Sequence, residues 1–250
     1  YGGKVTANTA EKGGGVLVID KCKLIVKGGT VEKNTATNNG GGIFVANTSE
    51  MKMTGGTVKN NKAISGAGLA AYLAKATMTG GTIEKNEASQ HGAGFLVQRE
   101  SVISMKDVTI QKNNAKENGG AIHISGFATL NLDKTVIGEN TAGMAGGGIF
   151  ASGDKTVVTL KDSAIRTNTA GTAGGGASAM SHARIVMESG KINHNTGSYD
   201  SNVITVSHLN SLTKLELVVG NDLGSEIRNC ESAETEIAGT VKVESRLNSS

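Results

Sequence analysis

The chain contains 250 residues, of which 36 are Gly and none is Pro or Trp, and its formal net charge is +3. Because this charge is small and Lys and Glu are interspersed, the sequence offers no basic surface for nucleic acid or for an anionic membrane. It also contains no stretch of the roughly 20 apolar residues that cross a bilayer. We therefore expect no nucleic-acid partner and no transmembrane segment.

A repeat of about 27 residues runs through the sequence. One Asn returns in each copy, at successive spacings of 26, 27, 25, 27, 27, 28 and 27 residues. A period this regular is typical of a solenoid, in which each copy is one structural unit that stacks on the next. The eight positions of the repeated asparagine are Asn8, Asn34, Asn61, Asn86, Asn113, Asn140, Asn168 and Asn195.

Each copy predicts three short strands. In chain order, the first has apolar residues ten and eight positions before the Asn, as at Leu24 and Val26. The second has a Val or Ile three positions before the Asn, as at Val31, and the third follows a glycine cluster, as at Ile43 and Val45. Residues two apart lie on one face of a strand, so each strand directs one apolar face inward.

Strands this short cannot bury an apolar face alone, and no helical period separates them. The copies must therefore stack, with each coil about 4.8 Å from the next and all like residues in columns. The sequence predicts an all-β fold, a single right-handed parallel β-helix of about nine coils with three strands per coil.

We expect a single elongated domain, in which residues 1–205 form the repeats and residues 206–250 form a terminal coil and C-terminal cap. The repeat decays after Asn195, and a polar end would shield the last strands from pairing with another chain. The first copy has Val5 in place before Asn8 but no polar cap. We therefore expect either further repeats before Tyr1 or an end-to-end contact through this coil.

Glycine-rich segments followed by an apolar-x-x-Asn unit resemble the β-helix repeats of polymorphic outer-membrane and adhesin-like proteins of bacterial surfaces. The segments are Gly40–Ile43, Gly119–Ile122 and Gly146–Ile149, and the resemblance covers residues 1 to about 205. Those proteins usually carry Phe where this chain has Val or Ile, as at Val31, so the chain is more similar to general GGT-V/I-x-x-N-x-A arrays of surface proteins. The resemblance implies a cell-surface or secreted protein that acts in adhesion or as a stalk, with no catalytic residues.

The Asn column has two interpretations, a ladder of amides that binds a ligand such as a sugar, or a stack that stabilises the fold. Stacked amides at a turn commonly hydrogen-bond to each other and to the backbone. The column lies between inward positions, where an unpaired amide would cost about 1–3 kcal/mol. We therefore favour the structural interpretation.

An enzymatic function requires groups that the sequence lacks. Pectinolytic β-helix hydrolases combine Asn-Thr-Asp, Asp-Asp, His-Gly and Arg-Ile-Lys fragments on neighbouring coils. A His-Gly at His91 and an Arg-Ile at Arg184 match two of them, but Ala36 and Ala142 stand where an Asn-Thr fragment needs Asp, and no Asp-Asp pair occurs. Hydrolysis needs two carboxylates about 5–9.5 Å apart. We expect no catalytic residue, no cofactor and no metal site.

The histidines and cysteines suggest no further site. Of the five histidines, which we expect at the surface, only His182 and His208 have a spacing that would place them on adjacent coils, and two ligands are too few for a zinc site. Cys22 and Cys230 are about eight coils apart, so we expect free thiols.

The sequence therefore predicts a non-enzymatic, extracellular or cell-surface β-helix that serves as an adhesin, stalk or passenger domain. Its expected partner is a protein or glycan of a host or neighbouring cell. Two alternatives stay open at this point: a carbohydrate-active β-helix of the polysaccharide lyase or hydrolase kind, and a phage-type tail-fibre module, each with an active site outside these residues.

Overall fold

The computed structural model describes residues 2–198 and three short strands beyond them, Ile204–Ser207, Glu216–Leu217 and Glu236–Ile237. Over residues 2–198 the chain forms strands and turns, with no helix in that range. The strands stack in four parallel sheets, which we name A, B, C and D in the order in which each coil visits them. The strands Glu216–Leu217 and Glu236–Ile237 pair with each other in parallel. Within the described part of the chain, no segment forms a helix of the length and apolarity needed to cross a bilayer.

Sheet A contains the residue three positions before each Asn. Its side chains alternate between an inward Val or Ile and an outward residue such as Thr or Glu, as the period of two requires. Its eight strands are Lys4–Thr6, Thr30–Glu32, Thr57–Lys59, Thr82–Glu84, Thr109–Gln111, Val136–Gly138, Ser163–Arg166 and Gly190–Asn193.

Sheet B follows the Asn directly and consists of two-residue strands, most of which end in the repeated Ala. Its eight strands are Thr9–Ala10, Thr35–Ala36, Lys62–Ala63, Glu87–Ala88, Asn114–Ala115, Thr141–Ala142, Thr169–Ala170 and Thr196–Gly197.

Sheet C follows the glycine cluster, and sheet D leads back to sheet A. The strands of sheet C are Val16–Val18, Ile43–Ala46, Leu69–Tyr72, Phe95–Gln98, Ile122–Ser125, Ile149–Ser152, Ala177–Met180 and Ile204–Ser207. The strands of sheet D are Lys23–Val26, Glu50–Met53, Lys75–Thr79, Val102–Lys106, Thr129–Asp133, Val157–Lys161 and Arg184–Met187.

The predicted parallel β-helix is confirmed, but the number of strands per coil and the number of coils differ from the prediction. The three predicted strands of each coil are sheets A, C and D, and the two-residue strands of sheet B add a fourth. Eight stacked strands in sheet A enclose about seven coils, fewer than the nine expected. The larger number included the segment after residue 205, which lies mostly outside the described residues.

The strand pairing places like residues in columns, as the repeat requires. Val31 pairs with Val58 in sheet A, and Ile83 pairs with Ile110. The inward side chains of sheets A, C and D form one continuous core along the rod, with Met53, Phe95 and other large residues fully buried. Under sheet B the space is narrower, and a second cluster contains only alanines, namely Ala36, Ala63, Ala67, Ala88, Ala93 and Ala115.

The glycine clusters make the turn from sheet B to sheet C. Gly146 has a φ of 68°, a left-handed conformation that Gly adopts without steric cost. Gly147 has a different reason, since a Cβ there would overlap the carbonyl oxygens of Thr169 and Gly175 on the next coil. Asp107 and Asp162 replace turn glycines and have φ values of 53° and 48°, which Asp tolerates better than most residues.

The sequence predicts a boundary near residue 205, between the repeats and a C-terminal coil and cap. Coils follow one another without a break from Lys4 to Asn193. The terminal coil and cap assigned to residues 206–250 lie outside the described residues, apart from Ser207 and the two short strands given above.

Candidate binding groove on sheet C

The eight repeated asparagines lie in one column, at the turn between sheets A and B. At each of the seven steps the side-chain Nδ2 of one Asn donates to the Oδ1 of the Asn on the next coil, at 2.9–3.0 Å. The backbone N–H of the same residue donates to the same Oδ1, at 2.9–3.0 Å. One ladder of amides therefore runs the length of the described coils.

The amides inside this ladder have no capacity left for a ligand. The Nδ2 of Asn113, for example, also donates to the carbonyl of Ile83 on the preceding coil, at 3.1 Å. Both of its N–H groups are thus engaged, while its Oδ1 accepts two bonds from Asn86. Every ladder member from Asn34 to Asn195 is buried, whereas Asn8 on the first coil is exposed. This geometry stabilises the stacking of coils and leaves the column closed to solvent.

The two fragments that match pectinolytic enzymes lie far apart. His91 is on the coil that precedes Asn113, and Arg184 is on the coil that precedes Asn195, three coil spacings or roughly 14 Å further along. Ala36 and Ala142, which stand where an Asp would be needed, are buried in sheet B. The structure does not bring these residues together.

Acidic side chains on the outer faces pair with lysines of neighbouring coils. Glu32 lies between Lys4 and Lys59, at 3.4 and 3.7 Å, and Lys23 lies 2.9 Å from Glu50. Burial raises the pKa of the Glu32 carboxyl. The hydrogen bond from Lys4 and the charges of the nearby lysines outweigh this effect and hold the pKa below its ordinary value. The described residues contain no cluster of three or more His, Cys, Asp or Glu side chains with metal-binding geometry.

The expectation for the histidines was wrong in two respects. His123 is 7% exposed, on the outward face of sheet C, and its ring lies 4.7 Å from that of His91 on the adjacent coil. On the other side it lies 5.1 Å from the Phe150 ring. The spacing of 32 residues concealed this pair, because His91 lies in the turn before the strand and His123 within it. His182 contacts Asp154 at 2.7 Å, while His208 lies outside the described residues.

Burial, together with the neighbouring His91, lowers the pKa of His123 to about 3. Its Nδ1 is buried and has no hydrogen-bond partner among the residues that the structure describes. The ring is therefore neutral at ordinary pH and packs as an aromatic side chain. Burial also lowers the pKa of His91, although the charge of Glu117 opposes the shift. Cys22 is exposed and forms no disulfide within the described residues, and Cys230 lies outside them.

A groove on the outer face of sheet C is our candidate for a binding site, because it is larger than the cavity on sheet D beside Met78 and Met105. We name this groove the C-face groove, and its volume is about 770 Å³. It extends across five successive coils, roughly 19 Å along the rod at the spacing of parallel strands. Its lining residues are Lys12, Leu17, Ile19, Asn38, Asn39, Phe44, Ala46, Asn47, Tyr72, Leu73, Arg99, Glu100, Gly126 and Phe127.

The floor of the groove consists of outward residues of sheet C that the sequence pattern assigned to solvent. From the second coil onward, one outward column is covered by the backbone of the turns from sheet B to sheet C, as where Gly40 lies against Phe44, whereas Leu17 of the first coil is exposed. Phe44 is therefore buried and packs against Tyr72, with ring centroids 5.6 Å apart. The second outward column is less covered, and it presents Ile19 and Tyr72 as half-buried side chains. Sheet C thus packs on both faces.

One wall of the groove consists of bulky residues in a strained backbone conformation. At the turns from sheet C to sheet D, Leu73 has a φ of 47° and Phe127 a φ of 64°. Large apolar side chains rarely adopt this left-handed conformation, which costs roughly 1–2 kcal/mol per residue. Both side chains are nevertheless exposed, Leu73 by 42% and Phe127 by 54%. Neither turn geometry nor core packing explains their residue types.

Polar groups fix the middle of the groove. The Nδ2 of Asn39 donates to the hydroxyl of Tyr72 at 3.3 Å, and the guanidinium carbon of Arg99 lies 5.6 Å from the centre of the Tyr72 ring. A cation at this distance is attracted to the face of the ring. Burial raises the pKa of Tyr72, although Arg99 and Asn39 oppose the shift, so its hydroxyl stays protonated at neutral pH.

Analysis of the sequence by columns missed this site, yet the sequence contained one signal for it. The chain has only seven Phe and Tyr residues, and three of them, Phe44, Tyr72 and Phe127, line the groove. They are spaced by about one and two repeats, so they were bound to fall on one side of the rod. Their position just outside the inward columns hid this relation.

Comparison with known protein families agrees with the observed architecture. Residues 2–157, more than half of the chain, match the model of the family described as the right-handed beta helix region. The chain belongs to this family, and its coils wind in the right-handed sense. No curated protein and no solved structure matches the chain.

Proposed function

We propose that the chain is a non-enzymatic β-helix of the cell surface or the extracellular space that binds a partner, as an adhesin or as the passenger domain of a larger protein. The C-face groove is the observation that carries this proposal. A chain that acts only as a spacer needs no exposed Leu73 and Phe127 in strained turns. The left-handed conformation recurs at turns along the whole rod, so these two turns are set apart by the large, exposed apolar side chains that they carry.

A binding role is also supported by the rigidity of the scaffold. The groove walls are turns, but each turn is joined to the next coil by backbone hydrogen bonds, such as that from Thr48 to Leu73 at 2.7 Å. The polar floor residue Tyr72 is held from two sides, by Asn39 and by Arg99. A surface with fixed side chains loses little conformational entropy when a partner binds.

The absence of catalysis is part of the same proposal. Catalysis of glycan cleavage needs carboxylates that converge on one bond, and here Glu32, Glu50 and Glu87 each pair with lysine on an adjacent coil. The groove lining includes one carboxylate, that of Glu100. A location outside the cell accords with the many family members found at cell surfaces or secreted.

Adhesion is tested with beads coated with the chain and exposed, under flow, to immobilised extracellular proteins and polysaccharides. We expect retention on at least one surface, and at least a tenfold loss of retained beads for Phe127→Asp. The matched control is Ile25→Ser, which removes an equally exposed apolar side chain from sheet D, outside the groove. Equal retention of the wild type and Phe127→Asp would contradict the proposal.

Catalysis is tested separately by incubating the chain with pectin and alginate, with and without calcium. We expect neither new reducing ends nor unsaturated products. Turnover that disappears in His91→Ala or Arg184→Ala would show that the chain is an enzyme after all.

A further inference from the structure

We infer that the C-face groove binds an extended segment of a partner polypeptide, one with apolar side chains and an acidic residue. This inference deepens the proposed binding function and rests on it. It assigns a chemical class to the ligand, which the fold alone does not do.

The surface of the groove favours apolar side chains over sugar rings. Leu17 is 49% exposed, and Leu73 and the half-buried Ile19 are also aliphatic. Aliphatic side chains would remove water from sugar hydroxyls without offering them a hydrogen bond. Tyr72 packs against Phe44 and lies beneath Arg99, so of the aromatic rings in the groove only the exposed Phe127 could stack on a sugar ring. Exposed apolar surface of this kind is typical of protein interfaces.

The dimensions of the groove fit an extended segment. Its five coils span roughly 19 Å, and an extended chain advances about 3.3 Å per residue, so five or six residues fill the groove. Apolar side chains of an extended segment would enter it at alternate positions. A volume of about 770 Å³ accommodates two or three of them together with the main chain.

Amides along the walls provide groups that hydrogen-bond to a peptide main chain. The Nδ2 of Asn39 donates to Tyr72, and that of Asn47 donates to the carboxylate of Asp20 at 3.0 Å. These bonds orient both side chains, while their Oδ1 atoms accept no hydrogen bond from any residue that the structure describes. Each Oδ1 can therefore accept from a main-chain N–H of the segment.

The charge of the groove calls for an acidic residue in the partner. Arg99 and Lys12 contribute two positive charges and Glu100 one negative charge. Lys12 already lies 3.9 Å from Glu11, whereas Arg99 forms no ion pair with any described residue. Its guanidinium, held over the Tyr72 ring, can accept a carboxylate in a bidentate pair. Tyr and Arg, here the half-buried Tyr72 and the exposed Arg99, are residue types that dominate binding free energy at interfaces.

The test uses a displayed library of random heptapeptides, selected on the full chain and counter-selected on Phe127→Asp. We expect enriched peptides to share apolar residues at alternate positions and one Asp or Glu. A fluorescent copy of an enriched peptide should bind Leu73→Asp and Arg99→Glu at least tenfold more weakly than the wild type. Ile25→Ser, the control outside the groove, should bind it with unchanged affinity.

A charge exchange separates recognition from loss of folding. Replacement of the acidic residue of the peptide by Lys should weaken binding to the wild type and restore it to Arg99→Glu. Enrichment of no peptide over the counter-selected variant would overturn the inference, and so would peptides that bind Phe127→Asp as well as the wild type.

The two proposals fail in different ways. If beads are retained through the groove and only oligosaccharides compete, the ligand is a glycan, and the peptide inference is wrong while the adhesion proposal stands. If beads are retained on no surface, the adhesion proposal fails, whatever peptides the library yields.

Discussion

The interior of the rod and the outer face of sheet C follow opposite rules. Inside, every coil repeats the same arrangement, with a Val or Ile such as Ile110 packed beside a ladder amide such as Asn113. On the outer face of sheet C the aligned residues differ from coil to coil, as Phe44, Ala70 and Leu96 do. The interior residues are those that stacking requires, whereas the outer face of sheet C varies from coil to coil without loss of the stack.

The largest effect is expected when one strand of sheet A receives the same substitution on its inward face and, in a second variant, on its outward face. Ile110→Asp should abolish cooperative folding, because it places an unpaired carboxylate at a fully buried position of the core. Thr109→Asp, at the adjacent outward position, should be mild. Thermal unfolding followed by circular dichroism distinguishes them, and similar melting temperatures would mean that the strand faces are assigned the wrong way round.

A second test interrupts the amide ladder. Asn113→Ala should lower the free energy of unfolding by about 1–3 kcal/mol, because it leaves groups of Asn86, Asn140 and the carbonyl of Ile83 without their partner. Chemical denaturation measures the loss. Asn114→Ala, at the exposed neighbour, is the matched control and should change stability little. Loss of partner binding with unchanged stability would instead make the ladder a recognition site.

A third test uses the pH dependence that His123 imposes. Its pKa is about 3 in the folded chain, against an ordinary value of 6.5, so the unfolded chain gains a proton first as the pH falls. Its contribution to stability is complete above pH 6.5 and is lost as the pH falls toward 3. Between pH 7 and pH 5 the loss is about 2 kcal/mol.

Replacement by Phe removes this titration while it keeps an aromatic ring beside Phe150. The stability of His123→Phe, measured by denaturant unfolding at several pH values, should therefore fall less steeply than that of the wild type. Parallel curves for the two proteins would indicate that His123 takes up its proton in the folded state.

The smallest effect is expected at the groove wall. Phe127→Asn should leave stability unchanged or raise it by up to about 1 kcal/mol, because Asn tolerates the left-handed conformation that strains Phe. The same substitution should abolish partner binding. A fall of more than about 1 kcal/mol in the free energy of unfolding would show that the Phe127 ring stabilises the fold. The main reason for assigning a binding role to the groove would then be removed.

The interior was predictable because its signals are local and repeated. A period of two in each strand and one Asn per coil placed Val31, Ile110 and the whole amide column correctly. The strands of sheet B escaped notice because alternation cannot be recognised over two residues. The expected coil number is higher than the seven observed because it counted the C-terminal segment, most of which lies outside the described residues.

The C-face groove was not predictable in the same way, because it depends on how turns fold over a strand. Gly40 covers Phe44 only once the turn has formed, and no rule of alternation anticipates this contact. The left-handed conformations of Leu73 and Phe127 were hidden as well, since turn rules favour Gly, Asn and Asp there. The pairing of His91 with His123 likewise joins a turn to a strand of the next coil.

The amide ladder makes a whole coil the natural unit of insertion and deletion in this protein. Removal of residues 87–113 would place Asn86 where Asn113 now lies, directly before Asn140 in the column, and the stack would close again. The rod would shorten by roughly 4.8 Å, and the groove would lose Arg99 and Glu100 while it kept Phe127. Insertion or deletion of one coil can therefore change the length of the rod and its binding surface together, while the packing of the remaining coils stays the same.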